Sequence, residues 1–118
     1  METIEIGLIK GRHEMPVGDY IINFEIDDPY EEINEIKDWI HYFLLEKIGI
    51  TTKTGCGINQ ASYEDVICYE GNKKLIVYVT GLTIVTAELI RQCMCCGVNL
   101  TLMHYNVKTK EYVSQVIC

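Results

Sequence analysis

The stretch Leu75-Ile76-Val77-Tyr78-Val79 constrains the fold more than any other part of the chain. Five apolar residues stand in a row between Lys74 and Thr80, without the polar alternation of a strand that has one wet face. A run of this kind is a strand buried on both sides, and such strands lie in the middle of a sheet.

The rest of the chain supplies neighbours for it. Ile4, Ile6, Leu8 and Ile9 form a short apolar strand that ends at Gly11. Tyr20-Ile21-Ile22-Asn23-Phe24-Glu25-Ile26 is compatible with a second strand or, following Pro16 and Gly18, with a long loop that packs by its aromatics. A helix is expected next: Asp28 can cap it, Pro29 suits the first position and Glu31 fits a capping box. Ile33, Ile36, Ile40, Phe43, Leu44 and Ile48 recur at helical spacing, and Gly49 is the natural stop. Residues 51–57 read as a Gly/Thr-rich loop, 66–69 as a strand and 70–73 as a turn. Beyond Thr80-Gly81-Leu82-Thr83 comes a helix over 84–96, stopped by Gly97, and then strands over 98–105 and 111–117 joined as a hairpin. This order predicts one α/β domain over 1–118: a three-layer sandwich with a mixed sheet and a C-terminal β-hairpin.

Charge narrows the function classes. Seventeen acidic against ten basic residues give a net charge of -7. Duplex nucleic acid is bound largely by neutralising several phosphates at once, so a basic nucleic-acid surface is excluded. A phosphate pocket is not, because a few local donors outweigh net charge at short range. No apolar stretch approaches the roughly 20 residues that span a bilayer, and Glu2 and Glu5 interrupt any leader-like start. A cytoplasmic protein with no membrane contact is therefore expected, its six cysteines mostly reduced thiols.

The most informative corner is Thr80-Gly81-Leu82-Thr83, which joins the central strand to a helix. Ligands of open α/β sheets bind at such carboxyl ends, where free N–H groups and the helix dipole favour an anion. Gly81 permits close backbone approach, and the Thr83 hydroxyl can cap the helix or donate to a phosphate. A tight turn with an N-cap is the plainer explanation. If the first strand is parallel to the central one, Arg12 and His13 emerge at the same edge. There Arg12 can grip a phosphate, and His13 can bond it or move a proton as the candidate catalytic residue. Lys53 can close over the crevice, and Tyr105 has a ring suited to stacking on a base. His104, in phase with Leu100 and Leu102, is a further ligand-binding candidate or a hydrogen-bonded strand histidine.

Other chemistries have less support. Cys93 and Cys96 share a helix face, but Cys95 points elsewhere and no second cluster completes a tetrahedral metal site, so ordinary buried thiols are expected, with no metal or cofactor. Ser62 and Ser114 lack a nucleophile-elbow context, and Asp19 is an unassigned loop carboxylate.

The order strand, Gly11-Arg12-His13 exit, helix, apolar strand, Thr80-Gly81-Leu82-Thr83, helix and hairpin resembles the CARF-type Rossmann-like domains of type III CRISPR defence and the small ring nucleases related to them. The resemblance implies a Rossmann-like homodimer that binds cyclic oligoadenylate, with Thr80, Gly81 and Thr83 at the corner after the central strand and Arg12 and His13 after the first. If the ring is cleaved, the route expected needs no metal, and whether cleavage occurs is left open by the sequence. The competing reading is a non-enzymatic, protein-binding or inhibitory homodimer that uses an aromatic and acidic surface around Tyr20, Phe24, Tyr30 and Trp39.

Overall fold

A computed structural model describes residues 2–11, 15–49, 51–52, 67–68, 73–79 and 82–118. Its elements are β1 (Glu2–Ile9), β2 (Tyr20–Ile22), α1 (Ile33–Phe43) continued by a π-helical turn (Leu44–Ile48), β3 (Thr51–Thr52), β4 (Ile67–Cys68), β5 (Lys73–Tyr78), α2 (Thr83–Cys96), β6 (Asn99–Asn106) and β7 (Glu111–Val116). Five strands form one mixed sheet in the order β2-β1-β5-β6-β7. The apolar run lies in β5, the middle strand, which is parallel to β1 on one side and β6 on the other. β6 and β7 close the sheet as the expected antiparallel hairpin. The chain thus folds as an α/β domain with a mixed sheet. β3 and β4 pair separately as a two-stranded ribbon.

The connections from β2 to β5 and from β5 to β6 both advance in the same direction across the sheet. Crossovers of one hand therefore place α1 and α2 on the same side. They touch there: the Gln92 side-chain amide donates to the Lys37 carbonyl at 3.0 Å. Ile36, Ile40 and Phe43 from α1 and Val85, Leu89 and Cys93 from α2 share one core with Leu8, Leu75, Val77, Leu100 and Leu102. The described helices thus form a single layer, and the face of the sheet turned away from them is lined differently.

Three local expectations are revised. The helix begins at Ile33, and its N-cap Glu32 makes no side-chain capping bond. Asp28 instead closes a turn ahead of it, accepting from the Tyr30 and Glu31 N–H groups at 3.0 and 3.3 Å, while its own N–H donates to the Glu32 carboxylate at 3.1 Å. The reciprocal pair is a capping box in form, with Glu32 in the role expected of Glu31. The second strand stops at Ile22, and Thr51–Thr52 is a strand where a loop was expected. Both helix stops are as expected, since Gly49 and Gly97 take positive φ values of 86° and 74°.

Among the described residues, no helix is long and apolar enough to cross a membrane.

Candidate functional site

The carboxyl edge of the sheet is set by β1 and β5, which run side by side and parallel from Glu2↔Lys73 to Gly7↔Tyr78. From this shared edge the chain leaves in opposite directions, from β1 outward to β2 and from β5 through α2 to β6. Diverging connections open a crevice between neighbouring strand ends, the place where open α/β sheets hold ligands. Beyond β1 the chain turns at Gly11, whose φ of 88° suits glycine, and a side chain there would also meet the Glu25 Cγ at 2.8 Å. Glu25 thus borders this edge with negative charge.

Leu82, half-buried, is the N-cap of α2; its carbonyl accepts from the Thr86 N–H and hydroxyl at 3.1 and 3.2 Å. Thr83 is exposed and is the first residue of the helix. It is not the cap, and the start of α2 has no side-chain capping bond. No acidic residue occupies the first turn of α2. Register continues the β5–β6 pairing to bring His104 beside Val79. The His104 Nε2 lies 2.8 Å from the Gln115 Oε1, on the face shared with Leu100 and Leu102. Tyr105, the next residue, therefore faces the other way. The structure separates these two candidates onto opposite faces of the sheet. Arg12, His13, Lys53, Thr80 and Gly81 lie outside the described residues.

The reading of the sequence missed a row of tyrosines on the face turned away from α1 and α2. Tyr105 stands edge-on to Tyr112, with ring centres 5.3 Å apart, and Tyr112 stands edge-on to Tyr78 at 4.9 Å. Tyr20 lies across Gly7, where a Cβ would meet its ring at 2.6 Å, so glycine is what admits that ring. Burial, then the charge and hydrogen bond of Glu5, push the Tyr78 phenol up; burial, then Tyr105 and Tyr20, do the same to Tyr112. These phenols stay protonated at neutral pH, and the Tyr78 O–H donates to the Glu5 carboxylate. Period-two spacing in the hairpin, Met103 with Tyr105 and Tyr112 with Ser114, was the available signal, but linking it to Tyr78 and Tyr20 requires the strand order.

The thiols divide by burial. Cys93 and Cys96 are buried, and Cys95 and Cys118 are exposed. Burial, with Cys118 and Cys96 nearby, pushes the Cys93 thiol far up, which makes it a poor nucleophile and metal ligand. Among the described residues, no three His, Cys, Asp or Glu side chains converge on a metal position.

Compared with family models, curated proteins and solved structures, the chain matches none.

Proposed function

We propose that the carboxyl edge between β1 and β5 binds a small phosphorylated nucleotide, with a cyclic oligoadenylate as the first ligand to test. The observation that carries this reading is the parallel pairing of β1 with β5 together with their diverging connections. β1 and β5 both end at that edge, Arg12 and His13 following β1 and Thr80 and Gly81 following β5 in the sequence. The uncapped start of α2 adds N–H donors there, and the tyrosine row offers a stacking surface for bases on the adjoining face. The CARF-type resemblance supplies the ligand class, a homodimer and a cytoplasmic role in CRISPR-related defence. Cleavage would follow the metal-free route: the ribose 2'-oxygen, in line with its phosphorus, forms a 2',3'-cyclic phosphate as the bond to the 5'-oxygen breaks, Arg12 and backbone N–H groups neutralise the developing charge, and His13 assists transfer of the 2'-hydroxyl proton to the 5'-oxygen, which leaves as a hydroxyl.

The test is to incubate purified protein with a panel of cyclic oligonucleotides and to follow both retention and breakdown. Arg12→Ala is expected to weaken binding about tenfold, in line with a lost charge-assisted pair. His13→Ala is expected to slow breakdown more than it weakens binding. Equal binding by the wild type and Arg12→Ala, or no retention at micromolar concentrations, removes the assignment.

A further inference from the structure

At the opposite end of β1 the sheet is left open. β2 begins only at Tyr20, opposite Gly7, and the Gly7 N–H donates to the Asp19 carbonyl at 2.9 Å. Backbone polar groups alternate in direction along a strand, so those of Thr3 and Glu5 point the same way as those of Gly7. The groups of Ile4 and Ile6 point to β5 instead. Thr3 and Glu5 therefore present N–H and C=O groups to an edge that has no strand beside it among the described residues.

That edge is the floor of a groove. A cavity of about 380 Å³ lies between the Ile4-to-Ile6 segment of β1, the entry to β2 and the C-terminal half of α1. Its α1 wall holds Trp39 and Tyr42, which are 45% and 56% exposed. Trp39 is braced edge-on by Phe24 at 5.5 Å. The Tyr42 phenol is held up by the hydrogen bond and charge of Glu46, so it stays a neutral ring at physiological pH. Asp19 and Glu46 line the groove with Lys47 as their counter-charge among the described lining residues, whereas the Glu5 carboxylate bonds the Tyr78 phenol on the other face.

We propose that this open edge of β1 is a strand-addition site for a short, extended, lysine- or arginine-bearing segment of another protein. The Thr3 and Glu5 backbone groups supply the ladder, Trp39 and Tyr42 receive alternate apolar side chains, and the carboxylates receive the cations. Charge complementarity selects this occupant. A second copy pairing β1 against β1 would bring Glu2, Glu5 and Asp19 of both copies together, and like charges in facing positions oppose pairing. The free stretch from Glu2 to Ile6 accommodates a strand of about five residues, since each advances about 3.3 Å. This site lies towards the start of β1 and the nucleotide edge at its end, with Tyr20 bordering both the groove and the tyrosine row.

Trp39 is the only tryptophan in the chain, so its emission reports directly on the groove. Three blocked pentapeptides are titrated against the full chain: alternating Lys-Val, alternating Glu-Val, and Lys-Val with alternate backbone nitrogens methylated. The Lys-Val peptide is expected to shift Trp39 emission saturably, and the other two to bind at least about tenfold more weakly. Asp19→Lys removes a carboxylate that has no side-chain partner among the described residues and should cost about fivefold or more. Thr3→Pro removes an N–H that faces the open edge while leaving the β5 ladder intact, and should abolish the shift. The methylated peptide tests the same bond on wild-type protein, whatever Thr3→Pro does to folding. Equal binding of the methylated peptide, equal binding of Glu-Val, or no shift at millimolar peptide overturns the proposal. So does a shift that tracks protein concentration without peptide, which would assign the edge to a second copy.

Discussion

The two faces of the five-stranded sheet are built from different chemistry. On the helix side, Leu8, Leu75, Val77, Leu100 and Leu102 are closed off under Ile40, Val85 and Leu89, with essentially no exposure. On the other side, from β5 to β7, Tyr78, Tyr105 and Tyr112 interlock edge to face, with Tyr78 buried at 8% exposure, Tyr112 half-buried and Tyr105 43% exposed. The first face gives stability through area removed from water. The second gives less of it, and keeps the Tyr105 ring at the surface. Substitutions on the two faces should therefore separate folding from recognition.

The sharpest contrast is Leu100→Ala. Leu100 is fully buried where β6 meets α2, and truncation leaves a cavity in a packed layer. A loss of about 2–5 kcal/mol is expected, read as a lower urea midpoint with an unchanged slope. A loss under about 1 kcal/mol would mean that the helix side is not the stabilising one.

The polar join between the helices comes next. Glu88 is buried, and burial alone would raise its carboxyl. Hydrogen bonds from Arg91 at 2.7 and 3.0 Å and from Gln92 at 2.8 Å outweigh that and hold it below the usual carboxylate range. Because the folded value is lowered, this contribution is present above the unfolded glutamate value, about pH 4.3, and is lost as pH falls through the folded one. Glu88→Ala is expected to cost about 1–3 kcal/mol at pH 7, with a smaller difference from wild type at pH 3. A difference that does not change between the two pH values would separate Glu88 from the acid sensitivity of the fold.

The same contrast explains what could be read in the residues beforehand. Stability here is written in local pattern: the unbroken run in β5, the period-3.6 isoleucines of α1, and glycines at the two helix stops. Local competition hid the start of α1, where the Asp28 carboxylate bonds the N–H groups of its own turn ahead of the helix. The edge shared by β1 and β5 was foreseeable as a condition, since it needed only the two strands to be parallel. The tyrosine row was not, because Tyr20, Tyr78 and Tyr112 are far apart in the chain and meet only through strand order. His104 and Tyr105 show the reverse effect: neighbours in sequence, they are divided by the pleat.

On the face turned away from α1 and α2, Tyr105→Ala removes one edge-to-face ring pair from an exposed position and should cost under about 1 kcal/mol in stability. If bases stack on this row, the same substitution weakens retention of the cyclic oligonucleotide about fivefold or more. Retention unchanged within twofold would confine the ligand to the helix side of the edge.

The smallest effect on folding belongs to Thr83→Ala. Loss of a genuine N-cap hydroxyl costs about 0.5–2 kcal/mol, but Thr83 already stands inside the helix, exposed, while Leu82 holds the cap position without a side-chain bond. Alanine is also the better helix former, so the midpoint should move by less than about 0.5 kcal/mol in either direction. Thermal or urea melts check that null expectation first. Against an unchanged fold, any loss of anion retention then belongs to the hydroxyl as a ligand donor. If both stability and retention stay at wild-type values, Thr83 drops out of the site and the backbone N–H groups at the start of α2 are left to carry that side of the crevice.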